Sequence, residues 1–253
     1  MSDGYASVVV LGVRFARLDA TRALDRIDEL CLAGPPAFVA HANVHTVNLA
    51  FSDPSYRDVL NGADLVLNDG KGVMLAARAL GTPFPQDLNG NFFAPLVLRR
   101  AAEHAWPVFF FGARPGVAER AARDLEETLP GLEIVGVRDG YSAVAGDEDV
   151  VRAIRDSGAI LLMVGLGNPA QEVWLNRHLH ETGAKIGIGV GAFFDFQARA
   201  VPRAPRWMNR WGLEWIYRLA QEPRRMWRRY LVGNPLFLLR VLRGRWLRPK
   251  AEP

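Results

Sequence analysis

Seven short apolar runs, separated by segments with helical periodicity, constrain the fold of this chain more than any other feature. Most of these runs are rich in Val, Ile, Leu or Phe and end at Gly, Asn or Asp, which is typical of strands. Because runs without polar alternation suit strands buried on both faces, we predict a parallel sheet covered by helices. The runs are Val8–Val13, Ala37–Ala40, Asp64–Leu67, Pro107–Phe111, Glu133–Val137, Ile160–Val164 and Lys185–Val190.

Segments with helical spacing lie between these runs. In Ala20–Cys31 and Val117–Leu129, apolar residues recur at intervals of three and four positions, and the second segment follows a Pro115-Gly116 helix start. Strands that alternate with helices are typical of α/β proteins, so we predict a Rossmann-like, mostly parallel sheet flanked by helices.

The composition of the 253 residues is that of a globular protein. Hydrophobic residues make up 49% and charged residues 23%, which excludes a disordered or fibrous chain. The single cysteine, Cys31, excludes an internal disulfide and fits a reducing cytoplasm. Met1–Gly4 carries no secretory signal, and the best apolar candidate, Leu231–Leu242, is short and interrupted by polar residues. We therefore expect a cytoplasmic protein without a membrane-spanning helix.

The charge of the chain is divided between two regions. Residues Arg203–Lys250 hold 13 basic and two acidic side chains, a net charge of +11, whereas the remainder carries −7. The change of sign falls near Ala198–Pro205, so we predict a catalytic body over residues 1–200 and a basic, helical appendage over residues 201–253. Such a segment indicates an anionic partner, and charge alone leaves phosphates, nucleic acid and a membrane surface open.

Tryptophans are concentrated in the appendage. Trp207, Trp211 and Trp215 are four positions apart, which predicts one stripe of a helix with arginines on its flanks. Two compatible interpretations follow. The stripe packs on the body, or the helix lies at a lipid interface with its arginines on lipid phosphates.

Polar residues follow four of the predicted strands at their carboxyl ends. Ligands of open α/β sheets bind at this edge, so we expect the four strand ends to form one crevice. The four segments are His41–His45, Asn68–Gly72, Gly165–Glu172 and Gly191–Asp195.

Several of these segments allow more than one interpretation. Gly165–Ala170 matches the glycine spacing of a dinucleotide-binding turn, but the next predicted strand runs into Gly191 and not into the acidic residue expected for NAD. Asp69, in Asn-Asp-Gly, is either a turn and helix-start residue or a catalytic carboxylate. His41 and His45 have no acidic or cysteine partner at metal-ligand spacing, so we expect no metal site.

Taken together, these motifs resemble the bacterial WecG/TagA/CpsF glycosyltransferases. The resemblance covers nearly the whole chain, in order and at fitting intervals. It implies an inverting, metal-independent enzyme without a cofactor. Such enzymes move a sugar, commonly N-acetylmannosamine, from UDP to a sugar on undecaprenyl diphosphate, and they build teichoic acids, capsules or exopolysaccharides. The matching segments are Asn43, Asn68–Val73, Gly165–Glu172, Gly189–Asp195, Arg203–Met208, Gly212–Trp215, Gln221–Arg225 and Tyr230–Pro235.

The resemblance also implies roles for individual residues. Asp69 matches the proposed base, which would take the proton of the acceptor hydroxyl. The appendage arginines would meet diphosphates, the glycine turn would approach the diphosphate of the donor, and the remaining residues would position the donor. The substrate-binding residues implied in this way are His41, Asn43, Gly165, Gly167, Gln171, Asp195, Arg218, Arg225 and Arg228.

Three positions depart from the family pattern. His41-Ala42 stands where the family has Thr-Pro, Gln86-Asp87 where it has Glu-Arg, and Gly90-Asn91-Phe92 where it has Gly-Thr-Asp. All three lie in regions expected to face a sugar. The donor sugar therefore stays open between N-acetylmannosamine, glucose and another hexose.

The expected partners are a UDP-sugar donor, a polyprenyl-diphosphate-linked sugar acceptor and the anionic inner face of the cell membrane, which the appendage would contact as part of a peripheral enzyme. A homo-oligomer is compatible with the sequence. Two other classes stand as alternatives: a nucleic-acid-binding module that uses the basic segment, and an NAD-dependent oxidoreductase. The apolar stripe of the appendage disfavours the first, so we expect no nucleic-acid partner.

Overall fold

A six-stranded parallel sheet with helices on both faces forms the centre of the protein. The computed structural model describes residues 5–32, 34–141, 146–202, 205, 208 and 214–246. The strands are β1 (Ser7–Val10), β2 (Val13–Ala16), β3 (Ala37–Ala42), β4 (Leu65–Asn68), β5 (Val108–Gly112), β6 (Ile134–Arg138), β7 (Leu161–Gly165) and β8 (Ile186–Gly189). The sheet order is β4-β3-β8-β7-β5-β6, and every neighbouring pair is parallel. The predicted α/β class with a parallel sheet is confirmed.

Helices connect the strands and continue into the appendage. Those of the body are α1 (Ala20–Leu32), α2 (Val44–Ser52), α3 (Pro54–Asn61), α4 (Lys71–Ala79), α5 (Gly90–Glu103), α6 (Val117–Thr128), α7 (Asp147–Ser157), α8 (Ala170–Thr182) and α9 (Phe193–Gln197). Those of the appendage are α10 (Glu214–Gln221), α11 (Pro223–Trp227), a π-helix (Arg228–Val232) and α12 (Gly233–Trp246).

One predicted strand is wrong. The run Val8–Val13 is not a strand of the parallel sheet but the middle of an antiparallel hairpin, in which Val10 pairs with Val13. The loop residues Leu11 and Gly12 both have positive φ, of 49° and 87°. A two-residue loop of this kind turns the chain back on itself with the twist that antiparallel strands need, and glycine adopts such a conformation without a steric cost. A continuous apolar run therefore concealed a reversal of the chain.

Two hydrophobic clusters occupy the two faces of the sheet. All six residues of β3 are buried, as the absence of polar alternation predicted. One cluster packs α1, α5, α6 and α9 on the sheet, and the other packs α2, α3, α4, α7 and α8 on the opposite face. The hairpin joins the second cluster, where Phe15 meets Phe84 with ring centroids 5.7 Å apart.

The appendage packs on the body through α12. Phe237 and Val241 are buried in the second cluster. Asn48 on α2 donates from Nδ2 to the Gly233 carbonyl at 2.8 Å and accepts at Oδ1 from Arg240 Nη1 at 2.8 Å. The helix therefore has one face against the body, which gives it a fixed orientation.

The predicted tryptophan stripe is described only in part. Trp207 and Trp211 lie outside the described residues. Trp215 is partly buried, with its ring centroid 6.0 Å from that of Tyr230. Within the described part of the chain, no helix combines the length and apolar character that crossing a membrane requires.

Candidate active site

Four adjacent strands end at one edge of the sheet, two of them followed by polar residues and two by glycine-containing turns. In the order β4, β3, β8 and β7, these strands lead into Asp69, Asn43, Gly191 and Leu166. Because carboxyl ends of parallel strands meet at one edge, residues far apart in sequence become neighbours there. The four strand ends therefore lie side by side, as the sequence predicted.

Asn43 holds the carboxylate of Asp69. The Asn43 side chain caps α2, because its Oδ1 accepts from the backbone N–H of His45 at 3.0 Å and of Thr46 at 3.2 Å. With the oxygen engaged in this way, the amide nitrogen is directed to Asp69 and donates to its Oδ2 at 3.0 Å. The backbone of Asp69 is fixed as well, since its N–H donates to the Ala42 carbonyl at 3.0 Å.

The arrangement leaves one carboxylate oxygen of Asp69 for chemistry. Among the described residues no hydrogen bond reaches Oδ1 of Asp69, and the residue is only partly buried. A carboxylate with one oxygen fixed and the other available at the carboxyl edge of the sheet suits a general base, which must reach the proton that it removes. The side chain does not cap α4, whose N-cap is Gly70, so the helix-cap interpretation of Asp69 finds no support.

The turn after Asp69 is fixed by Asp87. Its Oδ1 accepts from the Gly70 N–H at 2.9 Å, and its Oδ2 lies 3.7 Å from the Lys71 ammonium. Gly70 has a φ of 89°, which a residue with a side chain rarely adopts. Burial raises the pKa of Asp87, and the neighbouring charge of Asp69 acts in the same direction. The sequence marked Asp87 only as a departure from the family pattern, and its role as a partner of this turn was missed.

His41 joins β3 to β8 from within the core. It is almost fully buried, and its Nδ1 lies 3.1 Å from the Gly189 carbonyl. Because a carbonyl only accepts, Nδ1 must carry the proton, which leaves Nε2 as an acceptor. Nε2 has no hydrogen-bond partner among the described residues, and the ring lies edge-on to Phe93 at 6.0 Å. Burial lowers the pKa of His41, against the opposing charge of Asp69, so the imidazole is neutral.

Gln171 connects the turns that follow β7 and β8. Its Oε1 accepts from the N–H of Gly167 at 3.2 Å and from that of Gly191 at 3.0 Å. The helix α8 that carries Gln171 starts directly after the first of these turns. Gly165 lies at the end of β7, in close contact with Phe194 and the Gly191 backbone, where a Cβ would have less than 3.0 Å of room. The predicted residues Gly165, Gly167 and Gln171 therefore form one local structure.

The appendage reaches the same edge of the sheet near α9. Asp195 lies in α9, and its backbone carbonyl accepts from the N–H of Ala200 at 2.9 Å. Arg218 of α10 places its guanidinium 4.6 Å from the centroid of the Phe196 ring, and Phe196 is the residue after Asp195.

The structure describes the side chain of one of the other two predicted arginines of the appendage. Arg228 is exposed, and its guanidinium lies 5.3 Å from the ring centroid of its neighbour Trp227. The side chain of Arg225 lies outside the described residues.

A further arginine, which the sequence did not single out for the site, lies near the start of α2. Burial and the positive charge of Arg229 lower the pKa of His45 to about 4. His45 is two residues after Asn43, so the π-helix that carries Arg229 approaches the strand end of β3. The sequence did contain a signal for Arg229, namely its place in the dense arginine cluster of the appendage.

Among the described residues, no group of three His, Cys, Asp or Glu side chains is arranged to hold a metal ion.

Comparison with known proteins places this chain in a family. A family model described as the glycosyl transferase WecG/TagA/CpsF family matches residues 8–251. A protein of Bacillus spizizenii strain W23 is 34% identical over 86% of this chain and 82% of its own length. One of Bacillus subtilis strain 168 is 31% identical over 82% of this chain and 79% of its own length. One of Staphylococcus aureus strain MRSA252 is 28% identical over 98% of this chain and 96% of its own length. All three are named N-acetylglucosaminyldiphosphoundecaprenol N-acetyl-beta-D-mannosaminyltransferase.

Proposed function

The chain belongs to the WecG/TagA/CpsF family of glycosyl transferases, and from this premise we propose that it transfers N-acetylmannosamine from UDP to N-acetylglucosaminyl-diphosphoundecaprenol with inversion at the anomeric carbon. The names of the relatives support this acceptor and this sugar. The observation that carries the proposal is the Asn43–Asp69 hydrogen bond, which fixes a carboxylate at the carboxyl edge of the sheet with one oxygen available.

Asp69 is the general base of the proposed reaction. Its carboxylate takes the proton from the attacking hydroxyl of the acceptor sugar while the hydroxyl oxygen forms a bond to the anomeric carbon of the donor. The bond from that carbon to the diphosphate oxygen breaks, and UDP leaves with the electron pair. Asn43 contributes by orientation, since a base that is held in place pays less entropy in the transition state.

Positive side chains and backbone N–H groups stabilise the leaving diphosphate. The glycine turn after β7 lets the backbone approach phosphate closely, and α8 begins there, where its dipole favours negative charge. Arg218, Arg225 and Arg228 supply guanidinium groups, which pair with phosphate bidentately. We propose that these groups replace a divalent metal.

The appendage is proposed to hold the enzyme on the inner face of the membrane, where the lipid-linked acceptor lies. On α12, the buried residues Phe237 and Val241 face the body, and the opposite face exposes apolar side chains. These exposed residues are Leu238, Leu239 and Leu242. An apolar helix face in a segment of charge +11 is the pattern of a helix that lies in an anionic lipid surface.

A panel of donors tests the proposal. UDP-N-acetylmannosamine, UDP-glucose and UDP-N-acetylglucosamine are each incubated with a short-chain polyprenyl-diphosphate-GlcNAc acceptor, with and without EDTA. The expected result is selective transfer from UDP-N-acetylmannosamine, an inverted anomeric configuration by NMR and no effect of EDTA. Transfer from UDP-glucose alone would replace the sugar in the proposal. Loss of activity in EDTA with recovery in Mg²⁺ would overturn the metal-independent mechanism.

A further inference from the structure

The carboxyl group of Glu172 is fully buried next to Gln171 of the candidate site and takes no part in the proposed mechanism. Glu172 has no exposed surface, although it stands next to Gln171 at the start of α8. Buried carboxyl groups are costly unless several hydrogen bonds satisfy them. Its environment therefore calls for a physical explanation.

Three side chains donate to this carboxyl group. Its Oε1 accepts from Gln171 Nε2 at 2.7 Å and from Asn168 Nδ2, and its Oε2 accepts from the Tyr56 hydroxyl at 3.0 Å. Burial raises the pKa of Glu172 to about 7, whereas the hydrogen bonds from Gln171, Tyr56 and Asn168 favour the carboxylate. All three partners are donors, so these hydrogen bonds favour the ionised carboxylate, although burial has the larger effect on the pKa.

The contact with Gln171 extends the effect of Glu172 to the carboxyl ends of two strands. We call Leu166–Pro169 the β7 turn and Val190–Ala192 the β8 turn. With Nε2 of Gln171 held by Glu172, its Oε1 is directed to one N–H in each turn, at Gly167 and Gly191. A single amide thus spans two loops that are joined to neighbouring strands.

The backbone of β8 approaches this amide closely. A Cβ at Gly189 would lie 2.8 Å from Gln171 Nε2, closer than real side chains approach, so the glycine of β8 makes space for the amide. Gly167 and Gly191 both have positive φ, of 79° and 56°, so neither turn is held by ordinary strand geometry. Backbone hydrogen bonds contribute to both turns, at Gly167 and Val190, and the Gln171 side chain adds one hydrogen bond to each turn.

We propose that Glu172 is a positioning residue of the transferase, which orients the Gln171 amide and thereby sets the spacing of the β7 and β8 turns around the donor diphosphate. The inference deepens the proposed function and rests on it for the identity of the donor. It assigns to Gln171 an action through the two turns rather than through direct contact with the sugar. Glu172 itself touches no substrate.

Two variants and one control test this role. Glu172→Leu removes the acceptor of all three donors, whereas Glu172→Gln keeps an acceptor oxygen and the shape of the side chain. Asp147→Leu is the control, because Asp147 also accepts a hydrogen bond from a side chain of α8, from Trp174 Nε1 at 3.0 Å. Hydrogen exchange of peptides that cover the two turns is measured together with the KM values of donor and acceptor.

The expected result separates the donor from the acceptor. Glu172→Leu should speed exchange in both turns and raise the donor KM by about 10- to 100-fold, because small displacements of binding groups have effects of this size, with the acceptor KM within about twofold. Glu172→Gln should stay within about threefold of wild type, since oriented hydrogen bonding is retained. The control should change neither turn.

Three results would overturn the proposal. Unchanged exchange in both turns with Glu172→Leu would remove the positioning role. An equal rise of the donor and acceptor KM values, with faster exchange along the whole of α8, would assign Glu172 to stability alone. A loss with Glu172→Gln as large as with Glu172→Leu would contradict the argument from orientation. Because hydrogen exchange is measured without substrate, it tests this inference even if the donor panel refutes the proposed transfer.

A double variant gives an independent check. If Glu172 acts through Gln171, the combination of Glu172→Leu with Gln171→Leu should raise the donor KM no further than the stronger single variant does. Multiplication of the two effects would show that the residues act separately and would contradict the inference.

Discussion

The strand ends of the body and the helices of the appendage bring different kinds of polar group to the candidate site. In the body, Asn43 and Gln171 are each held by at least two hydrogen bonds within the protein. In the appendage, Arg218 and Arg228 lie with their guanidinium groups against aromatic rings, at 4.6 and 5.3 Å from the ring centroids. The body is acidic in sum, whereas the appendage carries +11.

This difference matches the two tasks of the proposed reaction. Proton removal depends on distance within tenths of an ångström, so the group that does it profits from rigid hydrogen bonds. Stabilisation of a diphosphate depends mainly on charge, and long arginine side chains supply charge over a range of positions. The body therefore provides geometry, and the appendage is proposed to provide charge and membrane contact.

The largest effect is expected in the body, at Asp69, which hydrogen bonds hold in place. Asp69→Asn should lower kcat by about 10²- to 10⁴-fold, because a general base is lost while the shape of the side chain remains. UDP should bind as before in isothermal titration calorimetry. Asp53→Asn is the control, since Asp53 caps α3 and asparagine caps equally well. Turnover of Asp69→Asn within about threefold of wild type would return Asp69 to the role of a turn residue.

The next largest effect belongs to the arginines of the appendage. Arg218→Gln and Arg228→Gln should each lower kcat/KM by about 10- to 100-fold, the range that corresponds to one charge-assisted hydrogen bond. A water-soluble acceptor is used, so that membrane contact plays no part. Arg243→Gln on the exposed side of α12 serves as the control. Equal losses in all three variants would mean that the net charge of the appendage matters and its individual positions do not.

A smaller effect should separate membrane contact from chemistry. Replacement of Leu238, Leu239 and Leu242 together by Gln should reduce sedimentation with anionic liposomes by about tenfold or more, since each buried leucine contributes about 1.5 to 3 kcal/mol. Activity on the water-soluble acceptor should persist. Leu32→Gln, at an exposed leucine of the body, should change neither measurement. Retained liposome binding in the triple variant would locate membrane contact elsewhere.

The smallest effect on turnover is expected for Glu172→Gln, and here stability is the sharper measurement. The pKa of Glu172 in the folded protein, about 7, lies above its ordinary value of 4.5. The protonated group is therefore favoured by folding, and this stabilisation is complete below pH 4.5 and is lost as the pH rises through about 7. Glutamine does not titrate. Over this range, the free energy of unfolding of the variant should therefore rise relative to that of wild type, by on the order of 3 kcal/mol.

Urea denaturation across this pH range measures the change. A constant difference between wild type and Glu172→Gln at every pH would mean that Glu172 has the same pKa folded and unfolded. Such a result would contradict the raised pKa of Glu172 on which this prediction rests.

Local patterns were sufficient for most elements of the body. The predicted helices Ala20–Cys31 and Val117–Leu129 correspond to α1 and α6, and six of the seven predicted strands form the sheet. These predictions succeed because burial of one helix face or of both strand faces leaves a direct trace in the spacing of apolar residues. The hairpin of β1 and β2 was missed, because its turn depends on the φ values of Leu11 and Gly12, which hydrophobicity does not encode.

The candidate site divides in the same way. Motif and turn patterns are local, so they were sufficient to predict Asp69, Asn43 and Gln171 at the strand ends. The folded structure was needed to show that Asn43 holds Asp69, that Asp87 fixes Gly70 and that one glutamine joins two turns. The first of these contacts joins residues that are 26 positions apart in the sequence, and the second joins residues 17 positions apart. Hydrogen bonds of this kind depend on which strands become neighbours, and that order follows from the packing of the whole sheet.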